Sequence, residues 1–147
     1  MNRELVKYLI ISLVIILSQL LIFNHINLFG TVSTFIYVSL FILYKTTYDK
    51  TYLILFGFLV GLIIDLSLQT YGAHTLASIT VCYLREKIEK YSFGVNSILP
   101  LAMVRGTRLS NRLTYFFLII FTHSLIYFSL IFFKFEFTLT IFLYTLI

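Results

Sequence analysis

Gly57, Gly61, Asp65 and Gln69 recur at every fourth position of the apolar run TYLILFGFLVGLIIDLSLQTYG, so a helix would carry all of them on one face. Asp65 is the acidic residue set deep in an apolar stretch. Counted from Thr51, it would lie about 21 Å into a hydrocarbon core about 30 Å thick. A carboxylate at that depth is costly unless it is paired, protonated or wetted, and is expected to face a bundle interior. His74, just beyond a turn ending in Gly72, and His123, in the run FTHSLIYFSLIFF, are its expected partners. His74, Ser78 and Cys82 form a second i+4 face with Ala73 and Ala77 beside it, a small polar surface suited to the Gly57-x-x-x-Gly61 stripe.

Such a cluster could relay protons, bind a cation, or fix helix register and an assembly interface. The structural role is the leading reading, with Gly57, Gly61, Asp65, Gln69, Gly72, His74, Ala77, Ser78 and His123 as helix-packing and assembly candidates. Two histidines and an aspartate suit a metal in type, but their spacing matches no recognised metal signature, so neither metal nor cofactor is expected. There is no Gly-x-Ser-x-Gly, no His-Glu-x-x-His and no phosphate-cradling glycine loop, and no enzymatic activity is expected. Serines and threonines within spans are expected to bond their own helix carbonyls. Cys82, the single cysteine, cannot build a disulfide within the chain and reads as a packing residue.

The elements that must hold these residues follow from composition. Of 147 residues, 60% are hydrophobic and 12% charged, and mean hydropathy is +0.99. A soluble domain carries about a quarter of its residues charged. The fold expected is an all-α integral membrane bundle of about six helices in a single domain, five full spans and a short or truncated last one. Charge is absent between Lys7 and Lys45, too long a stretch for one span; the turn residues of NHINLFGT divide it. Spans are expected at about 5–23, 32–44, 51–69, 73–84 (extending to 88 at most), 113–133 and 137–147. The second and fourth are short, and snorkelling by Lys45, Arg85 and Lys87 would lengthen them. The last is too short to cross: a half-span, or the start of a longer one. The first run, lacking a small-x-small cleavage site, reads as a retained anchor rather than a secretory signal.

Orientation comes from Lys and Arg. Arg3, Lys7, Lys45, Lys50, Arg85, Lys87, Lys90, Arg105, Arg108 and Arg112 fall on one side of this threading and Lys134 alone on the other. Ten against one places the amino terminus and the loop 85–112 in the cytoplasm. The same dispersal over short loops argues against a nucleic-acid partner despite the net charge of +5. Eight of the eleven tyrosines (Tyr8, Tyr44, Tyr48, Tyr52, Tyr71, Tyr83, Tyr91, Tyr115) fall near span ends, where amphipathic rings settle. Within the loop, SFGVNSILPLAMV between basic flanks suits either a lipid surface or a packed loop.

The block QLLIFNHINLFGTVSTFIYVSLFILY, followed by GFLVGLIIDLSLQTYGAHTLASITVCYLREKI, resembles the bacterial rod shape-determining MreD family. The family's Gly-Leu-x-x-Asp element, glycine-ended turn, small-residue helix and basic boundary correspond to Gly61, Leu62, Asp65, Gly72, Ala77 and Arg85. FTHSLIYFSLIFF around His123 is similar to its late histidine helix. Thr34 and the Tyr44–Lys45 region stand where relatives commonly have proline, and Leu130 stands near a common glutamate. The resemblance implies a non-enzymatic component of the elongation machinery in the cytoplasmic (inner) membrane of bacteria. It would scaffold peptidoglycan synthesis with an MreC-like bitopic partner and, through it, an MreB-like filament and a RodA-type polymerase with its transpeptidase. The architecture implied is also similar to the substrate-binding component of energy-coupling-factor transporters, which supplies the alternative: a small-molecule-binding transport subunit.

Overall fold

In the computed structural model, the described residues are 3–25, 27–28, 32–33, 35–44, 49–94, 107–132 and 138–146. They are overwhelmingly helical: α1 (Arg3–Leu21), α2 (Ser39–Leu43), α3 (Lys50–Leu68), α4 (Ala73–Phe93), α5 (Leu109–Ile131) and α6 (Thr138–Leu146). Local chemistry sets several boundaries. Asp49 caps α3, its carboxylate accepting the Thr51 N–H at 2.8 Å. Gln69 ends α3 in the left-handed conformation (φ 55°). Gly72 (φ 94°) opens α4 and Gly94 (φ 96°) closes it, the Gly94 N–H donating to the Lys90 carbonyl at 2.9 Å. α3 and α5 are each long and apolar enough to cross a membrane.

Two segments differ from the sequence reading. The stretch 32–44 is not one helix. Val32–Ser33 pairs antiparallel with Asn27–Leu28, a 3-10 turn covers Ile36–Val38, and only Ser39–Leu43 is α-helical. TVSTFIYV is rich in β-branched and aromatic residues, which are mediocre helix formers. Gln19 of α1 meanwhile holds this segment, its Oε1 accepting the Tyr37 N–H at 3.3 Å. The second difference is that Arg85–Phe93 is not loop but the second half of α4, and α5 already begins at Leu109. Charges in REKIEK mark where a helix leaves an apolar setting, not where it ends. Lys90 bonds Glu86 at 2.6 Å across one turn, the spacing that supports a helix. The apolar middle of the expected loop, 95–106, lies outside the described residues, as do Lys45, Lys134 and Thr34.

α4 is the central element, packed on α3 at one side and α5 at the other; α6 leans on α5, and α1 on the 36–38 turn and α3. Tyr37, Leu40, Phe41, Ile64, Tyr115 and Ile119 are fully buried among them. The outer surface is apolar too. Leu9, Ile10, Leu13, Val14, Leu17 and Leu21 form an exposed stripe along α1, and Leu55, Leu59, Leu62 and Leu66 another along α3. Several hydroxyls turn inward on their own helices: Ser12 to the Tyr8 carbonyl, Thr80 to Leu76 and Ser129 to Leu125, all at 2.6–2.8 Å.

Candidate functional site

The α3–α4 junction is built around Asp65. The first N–H groups of a helix have no partner within it and carry the positive end of its dipole. Asp65 supplies what they lack. Its Oδ1 accepts the His74 N–H at 3.0 Å and the Thr70 hydroxyl at 2.5 Å. Its Oδ2 accepts the Thr75 N–H at 2.7 Å and the Thr75 hydroxyl at 2.5 Å. The carboxylate therefore meets the backbone of His74, not its imidazole, which corrects the expected Asp65–histidine side-chain cluster. The reason is positional: one turn beyond α3, α4 starts with its free donors aimed back at Asp65, and the imidazole projects from the helix elsewhere.

Close approach of the two helices makes this reach possible. A Cβ at Gly61 would lie 2.5 Å from the Thr75 Cα and 2.9 Å from the His74 carbonyl oxygen. At Gly57 it would lie 2.6 Å from the Cys82 sulfur and 3.4 Å from the Ser78 carbonyl oxygen. Ala77 and Ser78 are fully buried on α4, whereas Gln69, fourth on the same α3 face, is exposed and contributes its backbone to the turn.

His74 and His123 do come together, through a residue the sequence reading did not single out. The Tyr37 hydroxyl lies 2.9 Å from His74 Nδ1 and 2.5 Å from His123 Nε2. All three side chains are fully buried. Tyr127 stacks on His74 with ring centroids 4.3 Å apart, and Phe35 packs edge-on against His74 and Tyr37 and tilted against His123. The other ring nitrogens, His74 Nε2 and His123 Nδ1, are buried and have no hydrogen-bond partner among the described residues. A signal for Tyr37 existed: it and Tyr127 are two of the three tyrosines that do not fall at span ends.

A second polar cluster was also missed. Arg85, expected to snorkel, is instead 4% exposed. Its Nε donates to the Tyr115 hydroxyl at 2.9 Å and its Nη2 to the Tyr44 carbonyl at 2.6 Å. Nη1 lies 3.9 Å from a carboxylate oxygen of the buried Glu89. The planar guanidinium serves α4, α5 and the end of the 36–44 segment at once, which a lysine could not do. Lys87, by contrast, is exposed.

Neither cluster gathers three potential metal ligands; no such group exists among the described residues. A separate groove of about 490 Å³ runs between the 35–42 segment, α5 and α6, lined by Phe35, Ile42, Phe117, Phe121, Phe128 and Tyr144 among others. Chemically, the junction is an interlocked support and the Tyr37 site a sealed hydrogen-bond chain. Set against protein-family models, curated proteins and solved structures, the chain matches none.

Proposed function

We propose that this chain is a multi-pass protein of the bacterial cytoplasmic membrane with a cytoplasmic amino terminus. In this reading it is a non-enzymatic, MreD-like scaffold of the elongation machinery. It would hold an MreC-like bitopic protein within the lipid and act indirectly on an MreB-like filament and a RodA-type polymerase with its transpeptidase. Support for the membrane setting comes from the two long apolar helices, the exposed leucine and isoleucine stripes on α1 and α3, and the ten-to-one division of basic residues.

The observation that carries the scaffold reading is the packing around the Gly61-Leu62-x-x-Asp65 element. Gly61, Asp65, Gly72, Ala77 and Arg85 each have a structural task at the α3–α4 unit or its base, and none lines the groove between the 35–42 segment, α5 and α6. A solute-capturing transport subunit needs convergent polar groups facing a pocket. Asp65, His74 and His123, the residues that would serve it, are engaged inside the bundle. The test is co-purification from a native membrane with an MreC-like protein. Recovery of that partner with the intact chain, and its loss with Gly61→Leu, is the expected result. Tight binding of a vitamin-like ligand by the purified chain would overturn it.

A further inference from the structure

One face of α4 changes character along its length. Leu76, Thr80, Tyr83, Lys87, Lys90 and Tyr91 recur at three- and four-residue steps, so they share one stripe. Its first part is apolar, because the Thr80 hydroxyl turns inward and donates to the Leu76 carbonyl at 2.8 Å. Its last part sets the exposed Lys87 and Lys90 between Tyr83 and Tyr91, rings 54% and 79% exposed. Lys50, the first residue of α3, joins from the side. Its Nζ lies 4.5 Å from the centre of the Tyr83 ring and 3.7 Å from one carboxylate oxygen of Glu86. The other Glu86 oxygen accepts from the Lys90 Nζ at 2.6 Å. Glu86 thus draws ammonium groups from two helices to one place. Lys90 spends one of its three donors there and Lys50 stands beyond hydrogen-bond distance, so both keep donors to offer. Lys87 has no ion pair among the described residues. Three lysines against one glutamate leave a surplus of positive charge.

We infer that Lys50, Lys87 and Lys90 form a ledge that seats the headgroup phosphate of an anionic phospholipid, whose acyl chains lie along the Leu76–Tyr83 part of the stripe. The match is one of charge and of position. The lysines stand where α4 leaves its apolar setting, the level of a headgroup layer, and amphipathic tyrosine rings settle at the same level. A soluble anion would meet the same lysines but gain nothing from the apolar stripe beside them. The inference rests on the membrane placement proposed above and not on the MreC-like partner.

The experiment titrates the intact chain, purified in a neutral detergent, with phosphatidylglycerol or phosphatidylcholine and counts bound lipids by native mass spectrometry. Expected is tighter binding of phosphatidylglycerol, weakened about fivefold by Lys87→Gln through the loss of one lysine's attraction at a lipid surface. Lys50→Gln, Lys87→Gln and Lys90→Gln together should abolish the preference. Glutamine keeps the helix propensity of lysine, and circular dichroism checks the fold. Lys87→Gln alone, exposed and outside any ion pair, keeps the test decisive if the triple variant does not fold. Arg3→Gln with Lys7→Gln removes exposed charge from α1 without touching the ledge and should leave the preference in place. Equal weakening by that pair would reveal a diffuse potential and overturn the site. Equal binding of the two lipids, or an unchanged preference in Lys87→Gln, would overturn it too. Displacement of phosphatidylglycerol by an equal concentration of inorganic phosphate would overturn the lipid as occupant in favour of a soluble anion. These outcomes leave co-purification with an MreC-like protein untouched, whereas recovery of the chain from cells without detergent would overturn the membrane placement and the ledge with it.

Discussion

Adding one methyl group at Gly61 tests the α3–α4 junction directly. The new carbon would sit 2.5 Å from the Thr75 Cα and 2.9 Å from both the Thr75 nitrogen and the His74 carbonyl oxygen. Carbon atoms rest at about 3.5–4.0 Å, so the helices must part by about 1 Å. The obstructing atoms are backbone and cannot swing aside. Overpacking of this kind costs about 1–3 kcal/mol. The same displacement stretches the bonds from the His74 and Thr75 N–H groups to Asp65, now 3.0 and 2.7 Å, toward the limit of useful hydrogen bonding. Bonds to a charged group contribute about 1.5–3 kcal/mol each, but one motion strains everything here, so the losses do not simply add. Gly61→Ala should therefore destabilise the protein by about 3 kcal/mol. Gly57→Ala is the control. Its principal obstacle is a cysteine side chain, so Gly57→Ala combined with Cys82→Ala should stay within about 1 kcal/mol of the parent. Denaturant titration in mixed micelles, followed by far-ultraviolet circular dichroism, measures both. Gly61→Ala matching the parent stability would refute the close-approach argument.

Three further outcomes are expected. Asp65→Asn places an amide NH2 where Oδ2 now accepts two donors from Thr75, and should cost about 2–4 kcal/mol by the same titration, with faster amide exchange at His74 and Thr75. Arg85→Met should destabilise by about 3–5 kcal/mol because it strips the guanidinium from beside the buried Glu89, while Arg85→Met with Glu89→Gln should regain part of that loss; equal stability of the two variants would contradict the pairing. At the start of α3, the Thr51 backbone and side-chain hydrogen bonds lower the Asp49 pKa, so its contribution is present above the ordinary carboxylate range and fades as pH falls through the lowered value. Acid should then reduce the protection of the Thr51 amide relative to its intrinsic exchange rate at the same pH in the parent chain but not in Asp49→Asn, whose amide oxygen can still cap.

Helix positions were legible where apolar runs met turn residues. The expected third span, 51–69, corresponds to α3 at Lys50–Leu68, because Asp49 and the Gln69–Gly72 turn bound it chemically. In the 32–44 segment low charge does not imply a continuous helix. Hydropathy reports burial but not backbone conformation, and the side chain of Gln19 together with the antiparallel pairing of Asn27–Leu28 with Val32–Ser33 determines the path there. At 85–93 the difference runs in the opposite sense: charge does not end the helix there, because the Glu86–Lys90 pair helps continue it.

The candidate site divides the same way. Spacing by four is a local property, so the sequence alone placed Gly57, Gly61 and Asp65 on one face and His74, Ser78 and Cys82 on another. It likewise determined the apolar character of the chain. Which atoms meet was decided only in three dimensions. Tyr37 and His123 stand 86 positions apart, and Arg85 and the Tyr44 carbonyl 41. Nothing in a helical period encodes such pairings. They depend on how α3, α4, α5 and the 36–43 segment cross, and on α4 presenting its unpaired N–H groups to Asp65 while turning the His74 ring toward Tyr37.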